Sequence, residues 1–519
     1  MQNAILRMQN CDMSCGHHFK KSAEPTQLFC ILHFTFCIGQ RKLRDKLYFH
    51  SIFITLRFFM FQKYIGDKAF YKRFFAVAIP IIIQNGITNF VSLLDNIMVG
   101  QVGSLPMSGV SIVNNLMFVY SLCIFGASSG AGIFTAQFFG SDDDEGIRYT
   151  FRFKLLICTA LSLLGIVFFT ALGTPLINLY LQGEGNPQDA AQVLHHGLDY
   201  LYMTFWGFVP FALSNAYSST LRETGQTTVP MVAGVTAVFV NLVLNYVLIF
   251  GHFGAPEMGV AGAALATAIS RYVELAIVVT WTHGHKQICK FIQGAYRSLY
   301  IPWDLLKQII VKGMPLLLNE ALWSGGMAFL NQCYSTCGLD VVPALNISST
   351  IFNLASVAFI AGGNAVGILM GQMLGANHSV EQIRDHNRKL IAANVVIGVV
   401  FGALLATVSG VFPLIYNATD SIRQTATWLI CICAATMPIH SYLNATYFTL
   451  RSGGKTLVTF IFDSGYAWCC TIPVAFVLSR FTDLPILPLY IICQCTDILK
   501  CFIGARMLKK GSWIQNLTA

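Results

Sequence analysis

Two carboxylates stand alone inside long apolar runs of this sequence. Asp95 lies in NFVSLLDNIMVG, with no Lys or Arg within one helical turn, and Glu320 lies in PLLLNEALWSG. An ionisable side chain deep in a membrane helix costs at least about 2.5–3.5 kcal/mol, so each one marks a candidate functional site. Asp95 suits a group that takes up and releases a proton. The alternative places it at the solvated outer end of its helix, with a structural role.

A later apolar run carries two amides on one face. Asn241 and Asn245 are four residues apart in VNLVLNYVLIFG, which places them on the same side of a helix. An amide hydrogen-bonds a substrate or a partner carboxylate without titrating. The alternative is a hydrogen bond that only joins neighbouring helices.

The run that begins PLLLNEALWSGGM combines several groups that attract a cation. Asn319, Glu320, Trp323 and Met327 supply an amide, a carboxylate, an aromatic face for cation–π contact and a polarizable thioether at near-helical spacing. This combination predicts a binding site for a small organic cation. Core packing is the alternative for Trp323.

Three further polar residues extend the candidate site. Gln84 and Asn85 occupy the positions of the first half that match Asn319 and Glu320, so we predict that they also contact substrate. Asp463, in FIFDSGYAWCC, is a possible addition near one end of its run. We predict neither a metal site nor an organic cofactor.

Only two basic residues lie within the apolar runs. Arg271 and Lys500 each have an acidic residue three positions away, Glu274 and Asp497. Residues at this spacing are neighbours on a helix surface, where opposite charges neutralise one another. We predict a structural ion pair within a single helix at both places.

The elements that must position these residues are membrane helices. Of the 519 residues, 55% are hydrophobic and 11% are charged, against about 45–50% and about 25% in soluble domains. Runs of about 20 apolar residues, enough to span a bilayer, recur from Phe74 onward. We predict an all-α polytopic membrane protein with about twelve spans, over 74–100, 107–139, 152–173, 195–219, 229–250, 258–283, 309–336, 343–374, 389–416, 425–449, 456–479 and 485–508.

Charge sets the expected orientation, because Lys and Arg near helix ends stay on the cytoplasmic side. From Met60 onward, 21 basic residues fall on one side of the predicted spans, whereas only Arg423 and Arg480 fall on the other. We therefore predict a multi-pass protein of the inner (cytoplasmic) membrane with both termini in the cytoplasm.

The two halves of the chain are similar to one another. Pro80 opens PIIIQNGITNF, and Pro315 opens PLLLNEALWSG at the corresponding place in the second half. Thr-Leu-Arg-x-x-Gly-x-Thr also occurs twice, from Thr220 and from Thr449. Two homologous six-helix lobes follow, related by an axis along the membrane normal. Such a pair favours alternating access around a midplane cavity.

The domain boundaries follow from these breaks in pattern. Residues 1–59 contain an apolar run of only about a dozen residues, too short to span, and we predict a mis-called or disordered extension. The remaining expected parts are the first lobe at 60–284, a cytoplasmic inter-lobe loop at 285–308, the second lobe at 309–511 and a short cytoplasmic tail at 512–519.

Several motifs together resemble one known family. The segments DNIMVGQVG, SSGAGIFTAQFFG, LRETGQTTVPM, NLVLNYVLIFG, GVAGAALATAISRYVE, ALNISSTIFNL, GQMLGA and LRSGGKT are similar to those of bacterial multidrug and toxic compound extrusion (MATE) transporters. The resemblance covers about 60–515. It implies a V-shaped pair of six-helix bundles, and antiport in which inward H⁺ or Na⁺ drives small organic cations out.

The resemblance also implies roles for particular residues. Asp95 matches the cation-coupling aspartate of the first span, and Asn241 with Asn245 match a polar pair of the fifth span. In one branch of the family the second member of that pair is an aspartate, so Asn245 is a departure. Glu320 matches an acid of the seventh span to within about one residue. No acid lies in the tenth span, which speaks against sodium coupling in the second lobe.

Other functions find little support. The sequence lacks HExxH, GxSxG and a glycine-rich phosphate loop, and residues 284–308 are too few for a nucleotide-binding domain, so we predict no enzyme. Nothing indicates nucleic-acid binding, and we expect a monomer in the lipid bilayer. The alternative is a lipid-linked precursor flippase of related architecture, which requires more intramembrane cations than Arg271 and Lys500.

Overall fold

The computed structural model describes residues 63–181, 186–338 and 340–518. The chain divides into two units, Met1–Tyr64 and Ile65–Ala519, and the second unit carries every helix described below. The predicted extension at 1–59 lies outside the described residues.

The described residues of the second unit form two sets of helices. The first set is α1 (Lys68–Gly100), α2 (Ser104–Gly140), α3 (Asp144–Tyr180), α4 (Pro187–Thr204 and Phe208–Glu223, joined by the 3₁₀ turn Phe205–Gly207), α5 (Thr228–Phe250) and α6 (Gly259–Gly284). The second set is α7 (Trp303–Ser335), α8 (Val341–Gly375), α9 (Val380–Val408), α10 (Asp420–Ser452), α11 (Thr456–Phe481) and α12 (Ile486–Lys510).

The prediction of an all-α polytopic membrane protein is confirmed. Ten of the described helices are long and apolar enough to cross a membrane, all except α4 and α7. The 3₁₀ turn divides α4 into segments of 18 and 16 residues, and α7 carries the polar residues Asn319 and Glu320 in its middle. Two π-helical turns, Ile461–Gly465 and Ala467–Thr471, interrupt α11.

The duplication seen in the sequence is also present in the backbone. Pro80 and Pro315 lie inside α1 and α7, at matching positions. Gly103 and Gly338, which are as far apart in the chain as those two prolines, have φ values of 145° and 147° in the turns that follow the helices. Residues that carry a side chain rarely adopt such φ values, so both turns require glycine.

The lobes meet closely where α2 and α8 end. A Cβ added to Gly140 would lie 1.9 Å from the carbonyl oxygen of Gln372, and one added to Gly375 would lie 1.8 Å from that of Gln137. Two hydrogen bonds cross between the lobes here: Gln137 Nε2 donates to Ser452 O at 2.9 Å, and Gln372 Nε2 donates to Glu223 O at 2.8 Å. This end of the protein is therefore closed.

The loop between the lobes is fixed to the first lobe. Arg152 of α3 donates to the carbonyl oxygens of Gly294, Ala295 and Tyr300, at 2.9, 2.8 and 3.0 Å. Cys289 lies in the same loop, where burial raises the pKa of its thiol to about 11. This cysteine is a neutral, structural thiol at physiological pH.

The residues after α12 bridge the two lobes at the closed end. Trp513 is only 1% exposed and packs in the core of the second lobe. Leu517 packs against the core of the first lobe, and its backbone N–H donates to Gln137 Oε1 at 2.7 Å. We refer to residues 513–518 as the C-terminal strap.

Candidate functional site

Asp95 lies at the centre of a polar site in the first lobe. It is located one to two turns before the end of α1, where it faces α5. Asn245 Nδ2 donates to Asp95 Oδ1 at 2.6 Å. With the amide of Asn241 oriented to satisfy its neighbours, Asn241 donates to both carboxylate oxygens, at 3.1 and 3.0 Å, and accepts from Thr267 Oγ1 of α6 at 3.1 Å. Neutral groups thus link the Asp95 carboxylate of α1 to α5 directly and to α6 through Asn241.

The two asparagines leave an acceptor available beside this carboxylate. Asn245 is 1% exposed, and its Oδ1 has no hydrogen-bond partner within the described residues. A buried acceptor without a partner is costly unless a ligand satisfies it. Oxygen atoms of carboxylate and amide groups are ligands that hard cations prefer. The site can therefore hold a proton or a small hard cation on Asp95, and Asn245 Oδ1 offers a further acceptor beside it.

A cavity of about 420 Å³ opens beside this site. Its lining combines Asp95 and Asn245 with Asn114, Tyr200, Phe211 and Arg271. Tyr200 OH donates to Asn114 Oδ1 at 3.2 Å, which joins α4 to α2 across the cavity wall. The volume is large enough for a small molecule, and the lining mixes polar and apolar side chains about equally.

Arg271 is the basic residue of this cavity. Its Nη1 lies 2.9 Å from Glu274 Oε2, which confirms the predicted pair within α6. The guanidinium also lies over the ring of Phe211, 5.1 Å from its centroid. Asp95 is the carboxylate of the cavity lining, which it shares with the Arg271 guanidinium.

Sequence reasoning missed three members of the site: Asn114, Tyr200 and Thr267. A signal existed for Thr267, because it precedes Arg271 by four residues and so shares its helix face. Asn114 and Tyr200 are single polar residues whose contact depends on how α2 and α4 are rotated. The sequence carries no signal for that contact.

A second polar site lies in the other lobe. Asn319 of α7 is 2% exposed, and its Nδ2 donates to Asp463 Oδ2 at 3.1 Å. Ser464 Oγ donates to Asn319 Oδ1 at 2.8 Å. The π-helical turn that contains Asp463 and Ser464 places both of them against α7. Asp463 is thus part of a buried network.

The predicted pair between Asp497 and Lys500 is wrong. Lys500 Nζ instead lies 2.9 Å from Asp463 Oδ1 on the neighbouring helix. Asp497 faces His440 of α10, with 3.5 Å between Oδ2 and Nδ1. The i,i+3 spacing permits a pair within α12, but interhelical packing offers each residue a different partner.

The remaining residues predicted to bind substrate do not line the first-lobe cavity. Glu320 is half-buried on α7, and Trp323 and Met327 are 43% and 42% exposed on the same helix. Gln84 Oε1 accepts from Arg222 at 3.5 Å, and Asn85 is half-buried beside it. Their role in substrate binding stays a prediction.

One group in the described part of the chain offers metal-ligand atoms close together. The ligand atoms of His195, His196 and Asp199 on α4 lie within 4.8 Å of one another. His195 Nδ1 is already 2.9 Å from Asp199 Oδ2, and both side chains are largely exposed. None of the three is among the residues that line the cavity.

Comparisons with known proteins agree with this architecture. The sequence model of the MatE family matches residues 80–247 and 315–477, one segment in each lobe. A relative from Thermotoga maritima, described as probable multidrug resistance protein NorM, is 25% identical over 477 residues, covering 88% of this chain and 97% of that protein. A Bacillus subtilis relative, probable multidrug resistance protein YoeA, is 24% identical and covers 80% of this chain and 88% of its own length.

Solved structures show the same fold. A multidrug resistance MATE family transporter of the MOP superfamily in an outward-facing conformation gives a TM-score of 0.72 at 19% identity, covering 87% of this chain and 98% of that one. A MATE structure in a bent conformation gives 0.75 at 19% identity, with 87% and 97% covered. On the family match in both lobes, this chain belongs to the MatE family of multidrug efflux transporters, which are not enzymes.

Proposed function

We propose that this protein is a secondary active antiporter that exports small organic cations in exchange for inward H⁺ or Na⁺. The observation that carries the proposal is the Asp95 carboxylate, held by neutral amides in a cavity of the first lobe. A carboxylate whose hydrogen-bond partners are neutral can alternate between a bound proton or metal cation and an empty state. Its two states then bias the two conformations of the transporter.

The closed end fits an outward-open state. The helix ends that meet at Gln137 and Gln372 adjoin the basic residues Arg148 and Arg388. By the positive-inside rule that end is cytoplasmic, and both termini lie there in the inner membrane. The Asp95 cavity lies toward the other end of α1 and faces the outside. From there it takes up its coupling ion before inward opening.

Substrate contact extends to the second lobe in this proposal. Names of relatives as multidrug resistance proteins support a drug-like cargo. Glu320, Trp323 and Met327 offer a carboxylate, an aromatic face and a thioether on one helix, which together attract a planar organic cation. Gln84 and Asn85 occupy the matching face of α1. The protein acts as a monomer in the bilayer, without a bound cofactor.

A lipid-linked precursor flippase is the weaker reading. A pyrophosphate needs several free cationic groups, whereas Arg271, Lys500 and the fully buried Lys154 are each paired with a carboxylate. None of these three is available to hold a second anion.

The test is efflux of a fluorescent cation from vesicles under a separately imposed pH or sodium gradient. We expect one gradient to drive efflux by the unaltered protein and neither gradient to drive efflux by Asp95→Asn. Equal efflux by both proteins would remove Asp95 as the coupling residue. Efflux that continues with both gradients collapsed would remove antiport.

A further inference from the structure

The second lobe holds an ammonium group in a site built for a cation. Lys500 Nζ lies 2.9 Å from Asp463 Oδ1, 5.2 Å from the centroid of the Phe462 ring and 5.9 Å from that of Tyr466. The other oxygen of Asp463 accepts from Asn319 at 3.1 Å. A carboxylate and two aromatic faces are the groups that select a cation in a poorly hydrated site.

The duplication assigns this ammonium a counterpart in the first lobe. Lys500 follows Arg271 in the chain at the same separation as the second Thr-Leu-Arg motif follows the first. Both are basic residues on the last helix of a lobe. Arg271 finds its carboxylate on its own helix, at Glu274. Lys500 takes its carboxylate from α11 instead.

The residue at the position of Asp463 differs between the two lobes. Asp463 corresponds to Gly234, because the same separation along the chain relates these two residues. Gly234 offers no ligand, and a Cβ added there would lie 2.7 Å from Gln84 Nε2. The carboxylate and the ammonium that neutralises it thus occur together in the second lobe, whereas the corresponding first-lobe positions, Gly234 and Arg271, cannot form such a pair.

We propose that Lys500 is a tethered counter-ion, whose ammonium fills the second-lobe site that an exchangeable cation would otherwise occupy. This assignment deepens the antiport function proposed above and rests on it, because it leaves Asp95, and not Asp463, as the aspartate that exchanges the coupling ion. The Asp463 site keeps its charge balance constant while substrate enters and leaves.

The proposal predicts that a binding site for a free ammonium ion appears only when the Lys500 side chain is removed. Lys500→Ala removes the ammonium and leaves Asp463, the two rings and the vacated volume. A free primary alkylammonium of similar length, n-propylammonium, then has a cage to fill, whereas n-propanol has the same size without the charge. Removal of Asp463 as well, in Lys500→Ala/Asp463→Asn, abolishes the attraction.

The experiment measures the Tm of purified full-length protein in detergent, with choline chloride holding ionic strength constant. All variants carry Asp95→Asn, so the first-lobe site does not contribute. We expect n-propylammonium, well above its dissociation constant, to raise the Tm of Lys500→Ala by about 3 °C, and n-propanol to leave it unchanged. Neither the parent with Lys500 nor the variant that also lacks Asp463 should respond.

A second measurement does not depend on how well Lys500→Ala folds. In the parent that carries only Asp95→Asn, sodium titrated against choline should leave the Tm unchanged, because Lys500 already fills the second-lobe site. A sodium-dependent rise in that parent, lost on adding Asp463→Asn, would overturn the proposal. So would a folded Lys500→Ala variant that responds equally to propylammonium and propanol.

These readouts separate this proposal from the antiport function itself. They report cation binding to the second lobe and do not use a transport assay. Normal efflux by Asp95→Asn would overturn the proposed role of Asp95 and leave the propylammonium result standing. Loss of the propylammonium effect would remove the tethered counter-ion and leave Asp95 in place.

Discussion

Both lobes bury carboxylates in their membrane helices, but the partners of those carboxylates differ. Asp95 in the first lobe accepts hydrogen bonds from the neutral amides of Asn241 and Asn245. Asp463 in the second lobe is paired with Lys500, and Asp497 faces His440. Asp95 is thus hydrogen-bonded by amides, with Arg271 elsewhere in the same cavity lining, whereas Asp463 contacts an ammonium group directly.

This difference shows how a duplicated fold can divide its work. The two halves share their prolines, their turn glycines and their crossed glutamine contacts, which serve the common architecture. Under the proposed antiport, ion exchange requires a site whose charge changes, and one lobe with such a site is enough. The Asp463 site of the other lobe would then keep its charge constant during transport.

The largest expected effect comes from removing the charge of Asp95, the carboxylate whose partners distinguish the first lobe from the second. Asp95→Asn keeps the size and hydrogen-bonding capacity of the side chain but cannot bind or release a proton. We expect gradient-driven efflux to fall to the background of empty vesicles, with substrate binding largely retained. Asp483→Asn, at an exposed aspartate in the turn between α11 and α12, is the matched control and should transport normally. Equal efflux by both variants would contradict the proposed role of Asp95 as the coupling residue.

The second-largest effect concerns the segments that follow the last helix of each lobe, the inter-lobe loop and the C-terminal strap. The inter-lobe loop is held by Arg152, whereas the C-terminal strap is anchored by Trp513, which is 1% exposed. Trp513→Ala empties a core position, and such substitutions cost about 3–5 kcal/mol. We expect a clear fall in the Tm of the purified protein. Trp303→Ala is the control, because Trp303 is 71% exposed. A matching fall in both variants would show that the strap does not anchor the lobe.

A smaller effect should follow from removing one amide beside Asp95. Asn245 donates to the carboxylate at 2.6 Å, and hydrogen bonds to charged groups contribute about 1.5–3 kcal/mol. Asn245→Leu keeps the volume and removes the donor. We expect the affinity for the coupling ion to change by roughly 10–100-fold, measured from the ion dependence of efflux. Asn346→Leu, an exposed amide of α8, should leave that dependence unaltered.

The sequence predicted the helices and the duplication well, because both rest on local patterns. Long apolar runs and repeated Pro80 and Pro315 require no knowledge of packing. The association of Asp95 with Asn241 and Asn245 came from the resemblance and from their shared helix face. Charge sidedness gave an orientation by the same kind of local reading.

Contacts that depend on helix rotation could not be predicted. Lys500 has acids within reach on two helices, and the choice of Asp463 over Asp497 follows from how α11 and α12 pack. The π-helical turns that present Asp463 to Asn319 have no clear sequence pattern. The strap was expected to be only a tail, because a short polar segment gives no sign that Trp513 returns to the core.

The smallest expected effects concern substrate selection, where the lobes should again differ. Glu320 and Trp323 are three residues apart on α7, so a planar cation can meet a carboxylate and an aromatic ring together. The matching first-lobe position is Asn85, which has no charge.

We expect Glu320→Gln to weaken binding of a cationic ligand by roughly tenfold and to leave a matched neutral ligand unchanged. Trp323→Ala should weaken both ligands, since a desolvated cation–π contact contributes about 2 kcal/mol and the stacking area is lost whatever the charge. Asn85→Ala should affect the two ligands equally, because an amide attracts both. The measurement is equilibrium binding of the ligand pair to purified variants in detergent. An equal loss for both ligands in Glu320→Gln would place Glu320 outside the substrate site and leave cation selection without a second-lobe charge.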